Sequence, residues 1–118
     1  MTRILIVEDD DLVAKAYKRK LELAKYEVEI AADGQEGLEK AKLLKPDLIL
    51  LDILMPRLNG IEVLKQLKAD NELKIVPIIV LTNLSSRENA EACLKEGCVS
   101  YIIKSSTVPS QEIGRAHV

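Results

Sequence analysis

Four short apolar runs in this chain each stop abruptly at a polar residue, and that repeated event restricts the possible folds more than any other feature. Ile4-Leu5-Ile6-Val7 runs into Glu8-Asp9-Asp10, and Leu48-Ile49-Leu50-Leu51 runs into Asp52. Ile78-Ile79-Val80-Leu81 stops at Thr82, and Tyr101-Ile102-Ile103 stops at Lys104. Continuous apolar runs of this length, without polar alternation, read as strands covered on both faces. If the strands are parallel, all of these ends meet at one edge of the sheet.

Amphipathic stretches between the runs supply the covering layers, giving the repeated βα pattern of a parallel sheet. Leu12, Val13, Ala16, Tyr17, Leu21 and Ala24 recur at helical spacing after the first run. A short second strand is expected at Val28 to Ala31. Asp33 is placed to cap a helix carrying Leu38, Ala41 and Leu44, which must stop before Pro46 because proline cannot continue it. Ile61, Val63, Leu64 and Leu67 mark a third helix, and Pro77 introduces the fourth strand. A further helix, capped by Ser85 or Ser86, runs through Leu94, with Gly97 suited to the left-handed position just past its end. Right-handed crossovers then give an α/β fold, a doubly wound five-stranded parallel sheet with helices on both faces. The second strand ends in Ala31-Ala32, without chemistry, as an edge strand would, which is consistent with strand order 2-1-3-4-5.

At 118 residues the chain fits one domain with a sizeable core. A net charge of −2 gives no reason to invoke nucleic acid. No apolar run approaches the length of a membrane span, and Met1-Thr2-Arg3 leads straight into the first strand without a leader, so the cytoplasm is the expected compartment. Cys93 and Cys98 lack zinc or redox-motif spacing and read as reduced, packed thiols.

The strand ends carry the chemistry. Glu8, Asp9 and Asp52 would repel one another in a dry pocket, a conflict that a divalent cation relieves. Oxygen-only ligands of this kind suit Mg²⁺. Phosphoryl transfer needs positioning and charge stabilisation above all, and a carboxylate can itself be the nucleophile. Lys104 would then balance phosphoryl charge, and the Thr82 hydroxyl would donate to a phosphoryl oxygen. Asp10 reads first as a helix cap and only second as a ligand.

From Arg3 to about Lys104 the chain resembles the receiver domain of two-component response regulators, whose fold is flavodoxin-like. The resemblance rests on ILIVEDD, LLDILMPRLNG, the Leu81-Thr82 pair and YIIK, in that order and at these spacings. It implies that Asp52 is the phosphoacceptor and that Glu8, Asp9, Asp52 and the backbone carbonyl of Leu54 hold Mg²⁺. It implies too that Thr82 and Tyr101 form a switch pair, with Lys104 the family's lysine. The implied partners are a sensor histidine kinase or phosphotransfer protein and a downstream output domain or protein, with no direct nucleic acid and no membrane. The implied role is a signalling phosphoacceptor rather than an enzyme. His117, the only histidine, lies near the C-terminus and is assigned no role, so the phosphoryl donor is another molecule.

Three departures from the family pattern bear on mechanism. Ser105 follows Lys104 where proline is usual, which leaves the fine position of Lys104 open. Asn83 is larger than the usual residue after Thr82. Leu54 and Leu84, two past Asp52 and Thr82, hold positions that tune autodephosphorylation. Two apolar side chains should orient a water poorly, so a long-lived phosphoaspartate is expected. Val108 to Ile113 can begin a fifth helix, but Gly114 to Val118 shows no apolar face. Residues 113–118 match one reading frame of a common short-read sequencing adapter. The expected organisation is therefore a receiver domain over 1–112 and a non-native tail over 113–118, with the natural chain continuing.

Two alternatives remain. A phosphate-independent interaction module would usually have lost an acid or the lysine. A phosphatase of the haloacid dehalogenase type would want an aspartate two past its nucleophile, where Leu54 stands if Asp52 attacks.

Overall fold

The computed structural model describes residues 2–53, 60–82 and 87–103, with backbone alone for Thr82, residues 87–90 and Ile103. Its elements follow the apolar runs: β1 (Arg3–Val7), α1 (Asp11–Leu23), β2 (Glu27–Ala31), α2 (Gly34–Leu44), β3 (Leu48–Asp52), α3 (Gly60–Ala69), β4 (Ile78–Thr82), α4 (Arg87–Lys95) and β5 (Ser100–Ile103). All pairings are parallel, in the order β2-β1-β3-β4-β5. That is the order the inert second strand suggested.

Alternate residues of each strand enter opposite layers, as the pleat requires. Leu5, Val7, Ile49, Leu51, Ile78 and Val80 join the layer formed with α2, α3 and α4. Ile4, Ile6, Leu50, Ile79, Leu81 and Ile102 join the layer beneath α1. The α1 stripe differs from its sequence reading. Ala14, Tyr17 and Leu21 are the buried positions, whereas Leu12 is 80% exposed and Ala16 and Ala24 face solvent. Helical periodicity fixes the spacing of a stripe but not its phase, and here the sheet selects the phase set by Tyr17, the bulkiest apolar residue available.

Helix boundaries follow local chemistry. Asp33 accepts a hydrogen bond from the Glu36 amide at 2.8 Å, capping α2. That helix ends at Leu44, and Lys45 turns left-handed (φ +47°) ahead of Pro46. Gly97, at φ +107°, takes the left-handed position after α4. Residues 83–86, where Ser85 or Ser86 would cap that helix, lie outside the described residues.

Candidate functional site

Strand register sets the site. Val7 of β1 pairs with Leu51 of β3, so Glu8 and Asp52 leave adjacent strands at the same height. Asp52 in turn stands beside Leu81 of β4, and Thr82, one residue on, stands beside Ile103 of β5. Pairing continues one step past β1, where the Glu8 amide donates to the Ala31 carbonyl at 3.0 Å.

Glu8 and Asp52 are buried, 1% and 2% exposed, while Asp9 faces solvent. One carboxylate oxygen from each of the three lies within 4.8 Å of the others. Three carboxylates so close, two of them out of water, bring like charges together, and a hard divalent cation relieves that repulsion. The donor set is all oxygen and open to solvent on the Asp9 side, which fits an ion that keeps several of its waters.

Asp10 belongs to a different structure. Its Oδ1 accepts from the amides of Leu12 and Val13 at 3.0 and 3.2 Å, so it caps α1 and stands outside the acidic cluster. Glu8 links the two arrangements, because its Oε1 accepts from the Asp10 amide at 3.1 Å. That bond holds the acid against the turn leading into α1 and fixes the direction in which the chain leaves the sheet.

Gly60, the last residue of the LLDILMPRLNG motif, meets a steric requirement that the sequence reading did not assign to it. A Cβ there would stand 2.3 Å from the Ile53 Cα and 2.4 Å from the Asp52 carbonyl oxygen, so no side chain fits without moving backbone. The Gly60 amide donates to the Ile53 carbonyl at 3.2 Å, and the Ile53 amide donates to the Leu81 carbonyl at 3.3 Å. The backbone around Asp52 is thereby clamped between β4 and the start of α3. Gly37 makes a similar approach in α2, where a Cβ would come within 2.8 Å of Val7 Cγ1, just before Glu8. In the sequence the LLDILMPRLNG motif was read without any role for its glycine.

Tyr101, opposite Val80, is partly buried and packs against the layer that contains α2, α3 and α4. Thr82 ends β4 as expected, but its side chain is outside what is described. Leu54, Asn83, Leu84, Lys104 and Ser105 also lie outside the described residues. No helix among the described residues is long and apolar enough to cross a membrane.

Comparison with known proteins agrees with this fold. Residues 4–112 match the family profile of the response regulator receiver domain. The polar-differentiation response regulator DivK of Brucella anthropi is 39% identical over 106 residues, covering 90% of this chain and 86% of that relative. Its counterpart in Brucella ovis has the same identity and coverage. Among solved structures, the chemotaxis response regulator CheY4 of Vibrio cholerae superposes with a TM-score of 0.89 at 31% identity, covering 99% of this chain and 97% of that one. The BeF3-activated N-terminal receiver domain of Klebsiella pneumoniae RstA gives 0.85 at 31% identity, covering 98% and 96%.

Proposed function

Since the chain belongs to the response regulator receiver domain family of two-component signalling, we propose that Asp52 accepts a phosphoryl group from a sensor histidine kinase or phosphotransfer protein. The observation that carries this reading is the convergence of Glu8, Asp9 and Asp52 within 4.8 Å where β1 and β3 end. An Asp52 carboxylate oxygen attacks phosphorus, the bond from phosphorus to the donor breaks, and the donor leaves with the electron pair. The clamped backbone around Asp52 and Gly60 holds that carboxylate beside Glu8 and Asp9 where β3 ends. Such positioning is a large part of what phosphoryl transfer asks of a protein.

Glu8, Asp9, Asp52 and the Leu54 carbonyl would hold Mg²⁺, and the ion would neutralise charge on the carboxylates and on the phosphoryl oxygens. Lys104 would balance the remaining phosphoryl charge, and the Thr82 hydroxyl would donate to a phosphoryl oxygen. Movement of Thr82 and Tyr101 together would then change the α4–β5 surface read by an output domain or partner, the local event biasing a two-state element. The role is that of a signalling domain. The RstA receiver was studied in a BeF3-activated form, and the same fluoroberyllate group, standing in for a phosphoryl group, is a suitable probe for this chain.

Intact mass after incubation with a small acyl phosphate tests the reading, with and without Mg²⁺ and beside Asp52→Asn. A metal-dependent gain of one phosphoryl group, absent in the variant, is expected. No gain in a folded sample would instead favour a phosphate-independent interaction module. Leu54 and Leu84, two past Asp52 and Thr82 in the sequence, would orient a water poorly, so the adduct should be long-lived. Following the same mass peak after removal of the donor measures this, and hydrolysis speeded by neither Leu54→Glu nor Leu84→Asn would refute it.

A further inference from the structure

The C-terminal end of α4 closes with two hydrogen bonds around Gly97. The Gly97 amide donates to the Leu94 carbonyl at 3.2 Å, and the Cys98 amide donates to the Cys93 carbonyl at 3.1 Å. With Gly97 left-handed, this is a Schellman motif, which frequently brings the side chain after the glycine against the one five residues before it. Those two positions are Cys98 and Cys93. The spacing shows no redox motif in the sequence, but the cap folds the chain back so that the pair is adjacent. Standard bond lengths joined through that hydrogen bond hold the two Cα atoms within about 7 Å. A disulfide spans Cα separations of about 4.4–6.8 Å. Both thiols are free and lie in the same buried layer.

We propose that Cys93 and Cys98 form a dithiol–disulfide couple that cross-links the cap of α4 to the entry of β5. The oxidant is a low-molecular-weight disulfide. The Cys98 thiolate attacks it, forming a mixed disulfide and expelling one small thiolate. The Cys93 thiolate then attacks the Cys98 sulfur and expels the second. Overall two cysteine thiols are oxidised, one small disulfide is reduced to two thiols, and the protons released by the cysteines pass to the expelled thiolates. Cys98 is the first nucleophile because it is the more exposed of the two (6% against 0%). Burial raises its pKa, but the Ser100 amide and the Lys68 charge oppose that rise. Cys93 is pushed up to about 11, chiefly by burial and then by Cys98 and Glu96, so it suits the second step, in which its partner sulfur is already in contact. Both sulfurs are covered in the folded state, so the first step waits for the α4 cap to open. Once closed, the cross-link makes α4 and β5 move as one body. This couple is independent of whether Asp52 accepts phosphate.

The test is to incubate the folded full chain with oxidised glutathione, block remaining thiols and measure intact mass. The expected product is lighter than the dithiol by two hydrogen atoms, retains no glutathione and reverts with dithiothreitol. Trypsin cuts after Lys95, so the two cysteines should leave on separate peptides joined only by the new bond. Amides of residues 94–101 should exchange several-fold more slowly in the oxidised form. Cys93→Ala should stop at a retained glutathione on Cys98. The proposal fails if the folded wild type keeps both thiols, or keeps the glutathione, while urea-unfolded protein cross-links under the same conditions. The wild-type mass decides the matter even if the variant does not fold.

Discussion

Asp10 and Asp9 are neighbours with the same side chain and different work, and the geometry agrees with the reading of Asp10 as a helix cap. Asp9 contributes to the acidic cluster, whereas the Asp10 carboxylate is committed to the amides of Leu12 and Val13. Asp10→Ala should therefore cost about 1 kcal/mol of stability, the usual worth of an N-cap. It should leave Mg²⁺ affinity close to wild type, whereas Asp9→Ala should weaken the metal with little effect on the fold. Urea unfolding and a metal titration on both variants check this, and a large loss of metal affinity in Asp10→Ala would make it a ligand after all. At this scale Asp52, Glu8 and Asp9 were legible in the sequence because each ends an apolar run, so position and chemistry coincide. Gly60 was visible as the end of the LLDILMPRLNG motif, but its role was not legible. Its necessity comes from the Asp52 carbonyl and Ile53 Cα packed against it, a contact made by the fold and absent from any local pattern.

Among the elements, β2 stands at one edge of the sheet and pairs only with β1 among the described residues. Edge strands offer unpaired carbonyls to other chains unless something covers them. Lys40 of α2 does so here, donating to the Ile30 carbonyl at 2.6 Å while bridging Glu36 at 3.1 Å. Lys40→Met keeps the apolar stem but removes that donor, and should cost about 0.5–1.5 kcal/mol. It should also speed amide exchange along β2 and raise self-association at high concentration, read by sizing chromatography. Unchanged exchange with wild-type stability would show that the lysine guards nothing. Strands and helix stops were legible from composition: apolar runs, Asp33, Pro46 and Gly97 all act locally. The inward face of α1 was less so, because Leu12 and Tyr17 fit helical spacing equally and only packing on the sheet turns Tyr17 in and Leu12 out. The Cys93–Cys98 contact was hidden for the related reason that a helical cap, not a spacing rule, creates it.

For the molecule as a whole, the sheet that gives stability also holds a cluster that opposes it. One inert strand among reactive ones was consistent with the strand order found, yet the balance between fold and site follows only from burial. Glu8 and Asp52 sit almost wholly out of water with Asp9 beside them, so the metal-free protein carries unfavourable charge repulsion at the end of its central strands. Asp52→Asn removes one of those charges at nearly constant shape. Without metal the variant should be more stable than wild type, by on the order of 1 kcal/mol, as expected when a functional site trades stability for chemistry. Adding Mg²⁺ should reverse the order. Binding to the folded state alone stabilises wild type by RT ln(1 + [Mg²⁺]/Kd), about 1.4 kcal/mol at tenfold the dissociation constant, and the variant gains less because it binds more weakly. Urea unfolding of both proteins in chelator and in Mg²⁺ reads the crossing directly. Parallel shifts in the two proteins would mean that Asp52 neither strains the free fold nor holds the ion.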